Sequence, residues 1–392
     1  MKQQPVNYAV FLFCYYAYAG TFATYAALFF AARGMTVPQI GILLSLIQVM
    51  RIFGPNVWGW VADHTQQRAR VLRLTAVAAL AAFCGIFFAH TFVQFFAVMV
   101  LVNLFTSAQS PLSEALLLSE MRGDLSNYGK VRLWGSVGFI VAVLAGGYFL
   151  EWFGVEALLW FAGALLLLVL AASLRIRDVP HPVAAHDTPR LWHVLRKPEV
   201  GAFFLSTALM CGAHMALYAF YSLYLERAGY SKPVIGAMWA LGVVAEVIFF
   251  YYQARVFARF GAQRVMMFAF GVAVLRFAIT GAGPDLLWVL VAAQLMHAAT
   301  FAAHHSASVV TMQRWFAGPL QASGQALYMS IAYGIGGTLG GLFMTWCWDK
   351  LGPEEMYYAA AGMTVAGAGA AWYSFRRQAL GQVPHYDTSS AA

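Results

Sequence analysis

Long apolar runs follow one another along almost the whole chain, and they restrict it to one kind of fold. A helix needs roughly 20 apolar residues to cross the hydrocarbon core of a bilayer, and twelve such runs are present. Because 61% of the residues are hydrophobic and 10% are charged, a soluble fold could not bury this much apolar surface. The sequence therefore predicts an all-α integral membrane protein with 12 transmembrane helices. The predicted spans are residues 6–31, 37–61, 71–90, 93–120, 130–151, 155–175, 199–226, 233–256, 263–282, 285–312, 323–348 and 355–375.

One short segment occurs twice. Residues 34–41 read GMTVPQIG and residues 229–236 read GYSKPVIG, an offset of 195 in a chain of 392 residues. Ten residues further on, the same offset pairs Arg51 with Glu246, so the two copies carry opposite charges at equivalent points of apolar runs. Repeated halves with working residues near the bilayer midplane are typical of secondary transporters.

The repeat predicts two six-helix bundles related by a pseudo-twofold axis. A second trace of it is the pair Gly146-Gly147 in the fifth span, which returns as Gly340-Gly341 in the eleventh. A stretch rich in proline and charge separates the two sets of six spans. The predicted units are an N-terminal bundle at 1–177, a cytoplasmic linker at 178–198, a C-terminal bundle at 199–378 and a cytoplasmic tail at 379–392.

The positions of lysine and arginine predict the orientation in the membrane. If the first span enters from the cytoplasm, most of the 24 Lys and Arg residues fall in cytoplasmic segments. Only Arg33, Arg227, Lys232 and Lys350 then lie outside, so both termini are expected in the cytoplasm. The net charge of +8 therefore indicates topology and not a nucleic-acid partner.

The loop between spans two and three carries a motif of the form G-x3-D-x4-R-x-R. Gly59, Asp63 and Arg68 are its first three fixed positions. The motif resembles the cytoplasmic loop signature of the major facilitator superfamily, although the family's second glycine is missing. A carboxylate beside helix ends and arginines could hold the cytoplasmic face closed, which predicts a gating role. An ordinary basic loop that only orients the protein is the alternative.

Three spans carry polar side chains in stripes with helical spacing. Such stripes predict a central aqueous cavity, because residues at i, i+4, i+7 and i+11 share one helix face. Polar contacts between neighbouring helices are the alternative reading. The stripes are Cys14, Tyr18, Thr21 and Tyr25; Asn103, Ser107, Ser110 and Glu114; and Thr207, Cys211, His214 and Tyr218.

Ionisable residues in three later spans are predicted to meet at mid-membrane. At 1.5 Å per residue, Glu246, Arg276 and His297 all lie about 18–20 Å inside their helices. Burying such groups costs roughly 2.5–3.5 kcal/mol each on insertion scales, so they are expected to contact one another or a cavity. The three form a candidate proton-responsive cluster, to which His304 is added because it should share a helix face with His297. A merely structural ion pair is the alternative.

Neither metal nor disulfide chemistry is expected. No two of His297, His304 and His305 have a spacing that suits one metal ion, and one of the last two could extend to the cytoplasmic interface. The four cysteines lie in apolar spans without ligand spacing, which predicts buried free thiols. No cofactor is expected beyond the proton as coupling ion. Arg51 is a candidate anion-binding group unless the fold brings it to Glu114.

Two longer motifs resemble bacterial 3-phenylpropionate permeases, a major facilitator branch similar to lactose permease. They are NYGKVRLWGSVGF at 127–139 and LGVVAEVI at 241–248. The resemblance implies that Glu114 and Arg132, eighteen positions apart, contact the substrate.

The same resemblance implies that Glu246, Arg276 and His297 couple the substrate to a proton. Two positions depart from lactose permease. Thr300 stands where that family has its proton-carrying glutamate, and Phe139 stands where it stacks the sugar on a tryptophan. The less polar ring suits a phenyl group better than a sugar.

The resemblance, together with the ionisable residues inside the spans, predicts a proton-coupled symporter of the bacterial inner membrane. Its expected cargo is a small organic solute such as an aromatic carboxylate, and its expected state is a monomer. Arg132 or Arg51 is expected to bind the carboxylate, while Tyr18, His214 and Tyr218 join Phe139 around the ring. The alternatives are a sugar or nucleoside importer, an exporter of apolar compounds, and a polytopic membrane enzyme, for which a nucleophile-base pair is lacking.

Overall fold

The computed structural model describes residues 4–121, 125–178, 191–316 and 320–381. Within these ranges the regular structure is helical and contains no strand. The tail after residue 381 and most of the predicted linker, residues 179–190, lie outside the described residues. The helices of the first half are α1 (Gln4–Ala32), α2 (Val37–Thr65), α3 (Arg68–Cys84), α4 (Phe92–Thr106), α5 (Gln109–Glu120), α6 (Leu125–Phe153) and α7 (Leu158–Ser173).

The second half repeats this pattern with more interruptions. Two π-helical segments, Ala298–Ala303 and Met329–Gly336, are inserted between its helices. The helices are α8 (Leu191–Leu195), α9 (Pro198–Ala213), α10 (Met215–Arg227), α11 (Lys232–Ala282), α12 (Leu287–Leu295), α13 (His304–Trp315), α14 (Gln321–Tyr328), α15 (Gly337–Lys350) and α16 (Pro353–Gly381).

Nine segments of the described residues are long and apolar enough to cross a membrane. The longest is α11 with 51 residues, and Gly261 inside it has φ 74°, a conformation that a continuous helix does not contain. Spans eight and nine of the sequence prediction are thus the two parts of α11 on either side of this glycine. The multi-pass helical architecture is confirmed, and the number of twelve crossings stays a prediction.

The repeated segment has the same backbone geometry in both copies. Gly34 has φ 76° and Gly229 has φ 85°, the left-handed conformation that ends many helices. The next amide, that of Met35 or Tyr230, donates to the carbonyl five residues earlier at 3.0 Å in both turns. A proline then lies in the first turn of α2 and of α11. The sequence repeat is therefore a repeated helix-turn-helix unit.

Small residues of the repeat mediate close contacts between the two halves. A Cβ atom on Gly41 of α2 would overlap the Thr345 side chain of α15, and one on Gly236 of α11 would overlap the backbone oxygen of Val143 in α6. A Cβ on Gly341 would lie 2.7 Å from the Ser45 hydroxyl oxygen. Contacts this close need glycine at one side of the interface.

Polar contacts between the halves lie at the same end of the molecule, near the α1–α2 turn. The Tyr25 hydroxyl, which donates to the Val143 carbonyl of its own half at 2.7 Å, approaches the Lys232 carbonyl of the other half at 3.5 Å. The Lys232 amide donates to Glu151 of α6 at 3.1 Å, with the ammonium 3.9 Å from the same carboxylate. We call this region the closed end. At the opposite end, Asp63 pairs with Arg68 of its own half at 2.9 Å.

Candidate substrate and proton site

Glu246, Arg276 and His297 are in contact, as the depth argument predicted. A Glu246 oxygen lies 2.7 Å from His297 Nε2, and Arg276 lies 2.7 Å from His297 Nδ1. Arg276 is 1% exposed, and its other donor reaches Gln294 Oε1 at 2.8 Å. The two parts of α11 supply Glu246 and Arg276, while α12 leads into His297. An imidazole is thus held between a carboxylate and a guanidinium in a water-poor interior.

Thr300 joins this cluster to His214. Its hydroxyl accepts from Arg276 at 2.8 Å and lies 3.2 Å from His214 Nε2. His214 stands at the break between α9 and α10 and is held by the Met210 carbonyl at 2.9 Å. The sequence marked Thr300 only as the place of a missing glutamate. In the structure this neutral side chain is a hydrogen-bonding bridge at the centre of the site.

A second polar group lies in the first half of the chain and is internally paired. Arg132 donates to Glu114 at 3.2 Å and to the Tyr16 hydroxyl at 2.7 Å, and the substrate contact that the resemblance implies for both stays a prediction. Its guanidinium also lies 4.2 Å from the centre of the Tyr16 ring. Ser110 and Tyr128 donate to the same carboxylate at 3.1 and 3.4 Å. The polar stripe predicted for the first span did not include Tyr16, because Tyr16 lies between two positions of the stripe in sequence but on another face of α1.

Arg51 lies between the halves, exposed, and without a carboxylate partner among the described residues. It donates to Gln48 at 3.1 Å, and its guanidinium lies over the Tyr333 ring at 5.8 Å from the ring centre. It is within electrostatic reach of Tyr15 in the first half and of Tyr218 in the second. The structure does not pair it with Glu114.

An aromatic ladder runs along the α12–α13 segment. Phe301 stacks on His297 on one side and on His305 on the other, with ring centres 5.4 and 6.2 Å apart and planes within 13° and 12° of parallel. Tyr218 meets His297 and Phe301 edge-on at 6.4 Å each. The ladder therefore extends the wall of the site from Glu246 toward Tyr333, which lies 6.1 Å from the His305 ring.

His304 does not share the face of His297, contrary to the sequence expectation. The intervening segment Ala298–Ala303 is π-helical. A π-helical turn holds more residues than an α-helical turn, so the aligned residue is His305 and not His304. His304 instead packs on Phe270, with ring centres 5.3 Å apart, and its Nε2 has no partner among the described residues. Both histidines lie within the protein, so neither extends to an interface.

Two predicted ring-binding residues lie away from these groups. Tyr18 is buried against Phe22 and Phe83, at 5.9 and 6.2 Å between ring centres. Phe139 packs on α1, where a Cβ on Gly20 would lie 2.5 Å from its ring. Their roles stay predictions. The same holds for the gating motif, in which Gly59 has no neighbour within 4 Å of an added Cβ.

The cysteines differ in their exposure. Cys84 is exposed at the end of α3, so the expectation of four buried thiols is wrong at this position. Cys211 is half-buried and lies within electrostatic reach of Arg51. Among the described residues, no group of three His, Cys, Asp or Glu could hold a metal ion.

The helical arrangement matches that of known transporters. The model of the MFS_1 like family matches residues 6–359. The chain belongs to the major facilitator superfamily. A probable 3-phenylpropionic acid transporter of Escherichia coli is 32% identical over 308 residues, which cover 76% of this chain and 79% of the relative. This relationship confirms the resemblance to the 3-phenylpropionate permease family.

Other major facilitators are more distant. A maltose permease of Geobacillus stearothermophilus is 27% identical over 82% of each chain. A crystal structure of the nucleoside transporter NupG superposes with a TM-score of 0.84 at 17% identity, covering 95% of this chain and 100% of that chain. The likeness to NupG shows the fold alone. Family membership makes the chain a transporter and excludes the alternative of a polytopic enzyme.

Proposed function

We propose that this major facilitator imports a small aromatic carboxylate together with a proton, by alternating access in a bacterial inner membrane. The observation that carries the proposal is Arg51, a guanidinium placed between the two halves and left without a carboxylate. The probable 3-phenylpropionic acid transporter among its relatives supports this substrate class. We further propose that the protein works as a monomer with both termini in the cytoplasm.

Three arginines lie within the predicted spans, and their partners differ. Arg132 is engaged by Glu114 and Tyr16, and Arg276 is engaged by His297, Thr300 and Gln294. Arg51 has only the neutral Gln48 and the face of Tyr333. A guanidinium binds a carboxylate through two parallel hydrogen bonds. Arg51 is therefore the arginine that a substrate carboxylate would complete.

Proton coupling is proposed for Glu246. Its side chain is 14% exposed and contacts His297. Position 300, where the resemblance would place a proton-carrying glutamate, holds a threonine and so cannot carry the proton instead. A buried carboxylate changes its charge when it gains a proton, and it then no longer attracts the imidazole and guanidinium beside it. His297 stacks on Phe301, so a change at the carboxylate acts on the aromatic ladder that leads toward Tyr333.

Ligand binding and vesicle uptake test the proposal together. We expect 3-phenylpropionate to raise the melting temperature of detergent-purified protein, since a ligand stabilises the state it binds. Arg51→Gln should raise the Kd for 3-phenylpropionate about tenfold or more, because a charge-assisted pair is lost. Arg51→Lys should bind 3-phenylpropionate with intermediate affinity. Arg255→Gln is the matched control, since Arg255 also lies over a tyrosine ring, at 5.7 Å.

Uptake of labelled 3-phenylpropionate into vesicles then tests the coupling. An imposed inward proton gradient should drive accumulation, and a protonophore should abolish it. If the protonophore leaves uptake unchanged, proton symport is refuted. A melting-temperature rise with nucleosides or maltose, and none with aromatic acids, would refute the substrate class. Drug hypersensitivity of a deletion strain would instead support an exporter of apolar compounds.

A further inference from the structure

His305 occupies the far end of the aromatic ladder and has an unusual set of neighbours. The hydroxyl groups of Tyr333 and Tyr328 both approach its Nδ1, at 3.1 and 3.3 Å. Its ring also stacks on Phe301 at 6.2 Å. One face and one nitrogen of this imidazole are therefore fixed by the protein.

The other nitrogen of His305, Nε2, has no hydrogen-bond partner among the described residues. It also differs from His304 Nε2, which is fully buried without a partner. His305 is partly buried, and its Nε2, unlike that of His304, keeps some accessible surface. It donates when Nδ1 accepts from the phenols, and it accepts when Nδ1 carries the proton. A hydroxyl group both donates and accepts, so it satisfies Nε2 in either tautomer.

Arg51 and His305 stand about one aromatic ring apart. The guanidinium of Arg51 lies over the ring of Tyr333, and the hydroxyl of the same tyrosine meets His305. A substrate that lies alongside Tyr333 would have its carboxylate at Arg51 and the far edge of its ring at His305. An unsubstituted ring would leave Nε2 unpaired, and an unpaired buried polar atom costs binding free energy.

We propose that His305 binds a hydroxyl group on the substrate ring, so that the transporter prefers phenolic arylalkanoic acids to their unsubstituted forms. This inference rests on the proposed function, because it requires an aromatic carboxylate at Arg51. Tyr333 then sets the distance between the two recognition points, and Phe301 forms the side wall.

Two ligands and three variants test the inference. We expect wild-type protein to bind 3-(4-hydroxyphenyl)propionate about fivefold or more tightly than 3-phenylpropionate, as measured by calorimetry or intrinsic fluorescence. His305→Phe keeps a flat ring on Phe301 but cannot pair with a hydroxyl, so the preference should disappear and the two acids should bind with affinities within about twofold of each other. His305→Gln should retain part of the preference.

His304→Phe is the matched control, since His304 faces Phe270 and should leave the preference unchanged. Because the readout is a ratio of two affinities in one preparation, a smaller folded fraction does not alter it. If 3-phenylpropionate binds equally well with or without the hydroxyl, or if His305→Phe keeps the preference, the inference is overturned. If neither acid binds wild-type protein, the proposed function itself fails.

Discussion

At the scale of single residues, three arginines within the predicted spans have three different kinds of partner. Arg276 is surrounded by neutral acceptors and by a histidine that touches Glu246. Arg132 is held by a carboxylate and a phenol. Arg51 keeps donors free of any carboxylate among the described residues. Because charges in hydrocarbon are tolerated only with partners or water, the lack of a carboxylate beside Arg51 within the described ranges supports its proposed role in substrate binding.

Glu246 gives the sharpest residue-level prediction. Glu246→Gln keeps the shape and a hydrogen bond to His297 but cannot gain or lose a proton. Substrate exchange across vesicles should persist, whereas the accumulation ratio under a proton gradient should fall to about one, since the linkage between the two ligands is lost. Counterflow and gradient-driven uptake measure the two activities. Glu199→Gln, at the start of α9, is the control. Full accumulation in Glu246→Gln would show that another group carries the proton.

Gln66 gives a stability prediction in the α2–α3 turn. It has φ 55°, the one positive φ found for a non-glycine residue in the described ranges. The loop signature lacks its second glycine, and here the backbone adopts the conformation that glycine favours. Gln66→Gly should stabilise the protein by about 0.5–1 kcal/mol because left-handed strain is relieved. Thermal unfolding in detergent measures this gain in stability. Gln67→Gly, at φ −129°, should bring no gain.

At the scale of helices, the repeat could be predicted from sequence down to its turns, and the cluster of Glu246, Arg276 and His297 followed from counting residues. Regular helices make both possible, because depth and face follow from a fixed rise and period. The role of His305 and Tyr333 could not be predicted in this way. Both follow or lie within π-helical segments, which change the phase of the helix without a clear sequence signal.

The glycine contacts at the closed end predict that the packing of α11 on α6 controls how often this end opens. Gly236→Val would force a side chain against the Val143 carbonyl and the Tyr25 hydroxyl. Overpacking of this kind costs about 1–3 kcal/mol, so the closed end should open more often. A cysteine at Ser45 should then react about tenfold faster with a membrane-impermeant maleimide. Gly271→Val is the control, because a Cβ there meets nothing within 4 Å. Unchanged labelling would contradict a gating role for this contact.

At the scale of the whole molecule, the two halves meet through equivalent helices. The first repeat helix, α2, packs on α15, and the second, the start of α11, packs on α6. Both interfaces lie at the closed end, together with the Lys232–Glu151 contact. For cytoplasmic termini this arrangement corresponds to a cavity closed to the outside. The proposed import by alternating access would require both interfaces to separate at once if the two halves move as units.

Locking one interface therefore tests the whole cycle. A Cβ on Gly341 would lie 2.7 Å from the Ser45 oxygen, a separation that suits a disulfide after Ser45→Cys and Gly341→Cys. In a background without the four native cysteines, oxidation of this pair should reduce uptake to background and dithiothreitol should restore it. Ligand binding should survive, because the opposite end is not linked. Either single variant should transport after oxidation. Normal uptake by the cross-linked protein, verified by mass spectrometry, would mean that this end need not open.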